Sequence, residues 1–497
     1  MLRDWLTVCL RGLIRHRLYT TINIMGLAVG LAAALLIGTY VRHELSYDSM
    51  YADGDRIYRI TRIEHRSGQQ PRPVGPVSYP VGELLQRERP EFEHLALISW
   101  FPVVLQHEGE PIREIMHIAS PGFFQIFDLP FLKGDPVTAL AEPYGLVLTE
   151  KMARKYFGDA DPVGQSLSIA RGESFRVTGV VADPPTNSSI QFDMVVSLAT
   201  PFPEFEKPRT LWFNNWLNVF VRLHPGESAN AVEAELGDML QRHVPNYEPP
   251  GKASSTFTLH MQPLADFHLG PFPGLDYSGR RTLAAFAAVA GLILIVAGIN
   301  FVNLSTARAT LRAREVALRK TLGASRGGLV LRFMGEAVLL TALAGVVAMA
   351  LAELLLPLLT DALNIRLEED FASPLSQLLT LAGLVLVIGI LSGIYPAFLL
   401  TRHNPADTMR GGSAPQGSGR LRTALVVGQF AVAIGLSTAS LVILAQTRHA
   451  GSAQLGFDRE NVVLWRGLNN PAVAGGWQVF RDRVTELPGV VSAAAVR

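Results

Sequence analysis

Five apolar runs, each about twenty residues or longer, divide this sequence and constrain its fold more than any other feature. A helix needs about 20 apolar residues to cross roughly 30 Å of hydrocarbon, and each run supplies them. The runs place transmembrane helices at 18–41, 281–302, 329–359, 376–400 and 423–445. Composition agrees. Of 497 residues, 48% are hydrophobic and 18% charged, an excess of apolar residues that water-soluble chains of this length rarely show. The first run is too long for a signal peptide, and Arg42-His43-Glu44 follows it where small residues would mark cleavage.

Charge between the runs sets the topology. Residues 303–328 carry Arg308, Arg312, Arg314, Arg319, Lys320 and Arg326. The loop after the third run is acidic, and the linker 401–422 carries Arg402, Arg410, Arg420 and Arg422. This alternation fits five spans with a cytoplasmic N-terminus. Putting six basic residues into lipid would cost about 2.5–3.5 kcal/mol each, about 15–20 kcal/mol together. Residues 42–280 then lie outside the cytoplasm. Residues 1–17 set Leu2, Leu6, Cys9, Leu10 and Leu13 at helical spacing among Arg3, Arg11, Arg15 and Arg17. They read as a cytosolic amphipathic helix, or simply as the charged flank of the first span. A net charge of +1 implies no nucleic-acid partner, and Cys9 alone excludes an internal disulfide and a cysteine metal site.

The 42–280 segment mixes periods. DRIYRITRI, EHLALISW, SFRVTGVV, IQFDMVVSL, LNVFVRL and STFTLHMQPL alternate or run apolar as strands do. PVGELLQRERP, TEKMARKYFG and SANAVEAELGDMLQRHV have helical spacing. The expected fold is therefore an α-helical transmembrane bundle plus an α+β extracytoplasmic domain, the latter as one body or two subdomains. A weak internal repeat accompanies it. Arg17-Leu18-Tyr19-Thr20 answers Arg420-Leu421-Arg422-Thr423, and LLQRERPEFEHLALIS answers FRDRVTELPGVVSAAAV as helix, proline, strand. Residues 446–497 then read as the start of a second, incomplete extracytoplasmic domain, and the chain as C-terminally truncated.

The basic segment carries more than charge. Leu304, Ala307, Leu311, Leu318 and Leu322 fall on one helical stripe. Glu315 lies on it too, four residues before Arg319, a pairing worth about 0.3–0.5 kcal/mol. Gly323 stands where a left-handed C-cap is wanted, and Ser325 where the next helix would be capped. A solvated loop needs none of this, so the segment reads as a helix on which another protein docks. No G-x-x-x-x-G-K-[ST] or H-E-x-x-H pattern occurs, and no catalytic, cofactor or metal residues are assigned. Glu336 and Glu353 could relay protons in a carrier or simply reach the membrane interface.

The block Glu315-Val316-Ala317-Leu318-Arg319-Lys320-Thr321-Leu322-Gly323-Ala324-Ser325 resembles that of the FtsX-like, MacB-type permease family of ABC transporters. So do INIMGLAVGLAAALLI with ELSYDSMYADGDRIYRI, DPVGQSL, VTGVVADPPTNSSIQFD and SGIYPAFLLTRHNPADTMRG. Among its members the chain resembles the duplicated, eight-span variety; the spans that would complete the second copy are the main departure. The resemblance implies that residues 42–280 are a MacB-like periplasmic core domain. It implies a type VII system in a bacterial inner membrane, with ATP and magnesium on a separate ABC ATPase. Arg314, Glu315, Arg319, Lys320, Gly323 and Ala324 would form the ATPase-coupling helix, and Pro396, Pro405, Asp407 and Arg410 a second cytosolic contact. A periplasmic adaptor or outer-membrane channel, and a homodimer or pseudo-dimer of the repeats, would complete the machine. The competing readings are a transmembrane regulator of a periplasmic partner such as a cell-wall hydrolase, and a proton-coupled carrier.

Overall fold

The computed structural model describes residues 11, 14–107, 110–169, 172–248, 255–270, 279–363, 374–402, 418–452, 462–463 and 476–494. Most of the expected amphipathic helix at 1–17 lies outside them. Two units divide the chain, Met1–Val432 and Ala433–Arg497.

In the first unit, helix α1 (Arg17–Leu45) leads through a short turn into strand β1 (Ile57–Arg66). The strands that follow are β2 (Arg72–Val74), β3 (Val77–Ser78), β4 (Phe92–His107), β5 (Glu110–Ala119), β6 (Phe131–Lys133), β7 (Gly145–Thr149), β8 (Ser166–Ser168), β9 (Ser174–Val181), β10 (Met194–Ser197), β11 (Asn215–Leu223) and β12 (Ser255–Pro263). Helices α2 (Tyr79–Glu88), α3 (Phe123–Ile126), α4 (Glu150–Phe157), α5 (Pro203–Thr210) and α6 (Ala229–His243) lie between them.

All the strands belong to one sheet with the central order β12-β1-β11-β4-β5-β10-β7-β9-β6. It is mixed, with β10 parallel to β5 and β7 parallel to β9. Both faces are buried. Leu95 and Leu97, Leu146 and Leu148, and Val219 and Val221 enter one hydrophobic cluster. The intervening Ala96, Val147 and Phe220 enter the other. Adjacent strand residues point to opposite faces, so the alternation places one core on each side of the sheet. The expected α+β domain is therefore a single continuous sheet with helices packed upon it. At its open edge, Glu233 of α6 reaches β12 and accepts the Met261 N–H at 2.7 Å, which satisfies an edge donor.

Among the described residues, five helices are long and apolar enough to cross a membrane: Arg17–Leu45, Gly279–Ala307, Arg326–Ala362, Leu375–Phe398 and Arg420–Ser452. They belong to α1, α7 (Gly279–Thr321), α8 (Arg326–Leu363), α9 (Pro374–Arg402) and α10 (Ser418–Ser452). The first four pack through small residues. A β-carbon on Gly30 would fall 2.8 Å from the Ala297 side chain, and one on Gly393 2.8 Å from that of Ala337. Such approach is how helices associate where lipid is as apolar as their side chains. In sequence, β1 follows α1 and β12 precedes α7. These two strands pair antiparallel from Tyr58↔Pro263 to Arg66↔Ser255, so spans one and two enter the domain on neighbouring strands.

The second unit holds helix α11 (Trp477–Thr485). The strand expected after Pro488 is not formed: residues 490–494 are irregular, and Val491 is 98% exposed. A strand needs a hydrogen-bonded neighbour, and the described residues of this unit offer none.

Candidate functional site

The basic segment is not a helix of its own. α7 runs from Gly279 to Thr321 without interruption, because no glycine or proline stands between Gly298 and Gly323. The span and the basic segment are thus one rod about 65 Å long. It ends as the sequence indicates. Gly323 has φ +92°, the Gly323 N–H bonds Lys320 O at 3.1 Å, and the Ala324 N–H bonds Arg319 O at 3.0 Å. This pair of bonds closes a helix in a Schellman turn. Ser325 Oγ then accepts the Gly328 N–H at 3.2 Å and starts α8. The chain reverses within four residues.

The turn is fixed to span four. Val316, Leu329, Phe333 and Ala397 form a small buried core with Val330 and Met334 at its edge. Lys320 Nζ donates to the Thr401 carbonyl at 2.6 Å. Burial, and then the neighbouring Arg326, hold the Lys320 ammonium below its ordinary pKa. α9 continues through the buried Pro396 to Arg402, so the proline does not end the helix. Its missing N–H falls where a helix packed on two neighbours retains its other bonds.

Of the apolar stripe, Ala307, Leu318 and Leu322 are exposed and Leu304 is half-buried, while the Leu311 side chain lies outside the described residues. Val316 and Ala317 are buried, whereas Leu318 and Leu322 are 57% and 79% exposed. The reason is local packing: Val316 is buried against Leu329 and Phe333 of α8 and Ala397 of α9. Leu318, Leu322 and the exposed Ala324 are left on the outer surface, with the half-buried Arg319 and Lys320 beside them. Arg314 and Glu315 lie in α7, but their side chains fall outside the described residues, as do Pro405, Asp407 and Arg410 altogether. Sequence reasoning missed the support, namely Leu329, Phe333, Ala397 and Thr401. The i, i+4 spacing of Leu329 with Phe333 and of Ala397 with Thr401 was the available signal.

The arrangement offers a short, rigid, positively charged helical turn with two protruding leucines. That is the form in which a helix end seats in an apolar groove with an acidic rim. Glu336 and Glu353 lie about 25 Å apart along α8. Glu353 is exposed, so the two form no direct proton relay.

The family model for the MacB-like periplasmic core domain matches residues 20–239, and that for the FtsX-like permease C-terminal region matches residues 287–405. A macrolide export ATP-binding/permease protein MacB of Bdellovibrio bacteriovorus is 25% identical over 267 residues, 53% of this chain and 38% of that protein. An uncharacterized ABC transporter permease YknZ of Bacillus subtilis is 23% identical over 266 residues, 53% of this chain and 61% of that protein. The chain therefore spans between about two fifths and three fifths of these relatives' lengths. The solved periplasmic region of MacB from Actinobacillus actinomycetemcomitans is 13% identical, covers 41% of this chain and 89% of its own, and gives a TM-score of 0.29. The matched core domain and the apolar helices make this a multi-pass membrane protein with an extracytoplasmic domain.

Proposed function

The chain belongs to the MacB-type, FtsX-like permease family of ABC transporters, and from that premise we propose that it couples ATP hydrolysis on a separate ABC ATPase to movement outside the membrane. The sheet is periplasmic and the N-terminus cytoplasmic, in a Gram-negative inner membrane. ATP and magnesium bind the partner. The basic turn, with Glu315, Arg319, Lys320, Gly323 and Ala324, seats in the ATPase, and the segment around Pro405, Asp407 and Arg410 makes a second contact. Movement of the turn reaches the sheet along α7 and α1, where it displaces an export substrate already outside the membrane. A periplasmic adaptor or outer-membrane channel, and a second copy of the permease unit, complete the system.

One observation carries this reading. The Gly323 turn is capped, packed on α9 through Ala397 and tied by Lys320, yet presents Leu318 and Leu322 to the outside. A turn built only to reverse the chain needs neither the exposed leucines nor the charge. The test is Glu315→Arg in the full chain, co-expressed with its ATPase. Membrane insertion stays intact and stimulation of ATP hydrolysis falls to the unstimulated rate. Normal stimulation by that variant overturns the docking assignment. Activation of a periplasmic hydrolase without any transported species would replace export by regulation.

A further inference from the structure

The blocks ELSYDSMYADG (44–54) and DPPTNSSIQFD (183–193) lie far apart in sequence. The fold brings them together where α1 meets the sheet. A short connection between a membrane helix and a domain would ordinarily act as a hinge. Here it is immobilised. The Asp48 N–H donates to Asn187 O at 3.0 Å, and the Ser189 N–H donates to Asp48 Oδ1 at 2.8 Å. Asn187 Nδ2 reaches back to Ser46 O at 3.1 Å and Ser46 Oγ at 3.0 Å. Tyr51 OH and Ser188 Oγ lie 2.9 Å apart. Asp48, Tyr51, Asn187 and Ser188 are 5%, 6%, 6% and 1% exposed. Burial raises the Asp48 carboxyl against the lowering effect of its bonds to Ser189, and pushes the Tyr51 hydroxyl up to about 12.

Asp48 also has φ +59°, a conformation that costs most residues energy and that Asp and Asn tolerate best. The sharp turn off α1 and the bond to Ser189 thus depend on one residue. A second tie closes the other side. His268 Nε2 lies 2.8 Å from Glu44 Oε2 near the end of α1, and its ring stacks on Tyr47 at 3.4 Å. His268 lies between β12 and α7, and Arg280 at the start of α7 pairs with Asp266 at 2.8 Å.

We propose that Asp48 and Asn187 are positioning residues of a rigid joint, so that tilt of α1 arrives in the sheet as whole-domain rotation instead of being absorbed at residues 46–56. This rests on the reading of the chain as a coupled permease. The test uses the full chain in lipid nanodiscs, with Cys9 replaced by Ser and spin labels at the exposed Val29 of α1 and Leu132 of β6. The native joint gives a narrow distance distribution. Measured well below the melting temperature of each variant, Asp48→Gly and Asn187→Ala broaden it about twofold, and Asp48→Asn, which keeps an acceptor and tolerates positive φ, restores the narrow form. A narrow distribution in both joint variants overturns the proposal. With the ATPase and ATP added, the native distance shifts, and the joint variants hydrolyse ATP without the shift. An equal shift in the variants also overturns the joint. A native chain that binds no ATPase and shows no shift instead refutes the coupled-permease reading, and the joint is then decided by the ATP-free widths alone.

Discussion

His117 is a buried histidine whose desolvation ties the domain's stability to pH. It lies on β5 against Phe192, its Nδ1 sealed from water without a hydrogen-bond partner. Burial pushes its pKa from 6.5 down to about 4. A base whose pKa is depressed on folding supplies stability that is full above its unfolded pKa and lost as pH falls through the folded one. The domain should therefore lose on the order of 3 kcal/mol between pH 6.5 and 4 from this group alone. His117→Leu should flatten that part of a melting-temperature profile and leave pH 7.5 nearly unchanged. An unaltered profile would show that other groups set it. Gly323 makes a second residue-scale case. At φ +92° a β-carbon is strained, so Gly323→Ala should cost about 1 kcal/mol and Gly323→Asn less, read as melting of the detergent-solubilised chain. Gly323 was legible in the sequence because its spacing after the last leucine has one physical meaning. His117 was not, because a histidine in an alternating strand looks the same whether it is sealed or wet.

At the scale of elements, the strands and helices announced themselves by period, as in DRIYRITRI and SANAVEAELGDMLQRHV. What local pattern could not carry was phase and continuity. Leu304 to Leu322 reads as one stripe in isolation, but which residues of α7 are buried is set by its neighbours: Val316 packs on Leu329, Phe333 and Ala397, while Leu318 and Leu322 stay exposed. The glycines of α9 supply the matching prediction. A β-carbon on Gly393 would meet Ala337 at 2.8 Å, whereas one on Gly383 meets nothing within 4 Å. Gly393→Leu should thus force α8 and α9 apart at about 1–3 kcal/mol, and Gly383→Leu should be silent. Equal melting of the two variants would refute close packing as the basis of that contact.

For the whole molecule, the sequence conveyed the five apolar helices found among the described residues and the presence of an α+β domain, because apolar length and charge are local properties. It did not convey that β1 pairs with β12 or that one sheet joins every strand, since pairing across some 200 residues leaves no local trace. Nor did it reveal that residues 490–494 lack strand structure, which depends on neighbours and not on composition. In the proposed function the basic turn of α7 seats in an ABC ATPase. A photo-crosslinking residue at Leu322 in the full chain, expressed with its ATPase, tests that contact directly. A covalent adduct with the ATPase is expected at Leu322 and none from Val346, which is 70% exposed within the membrane-spanning part of α8. No ATPase adduct at Leu322, or equal capture from both positions, would contradict it.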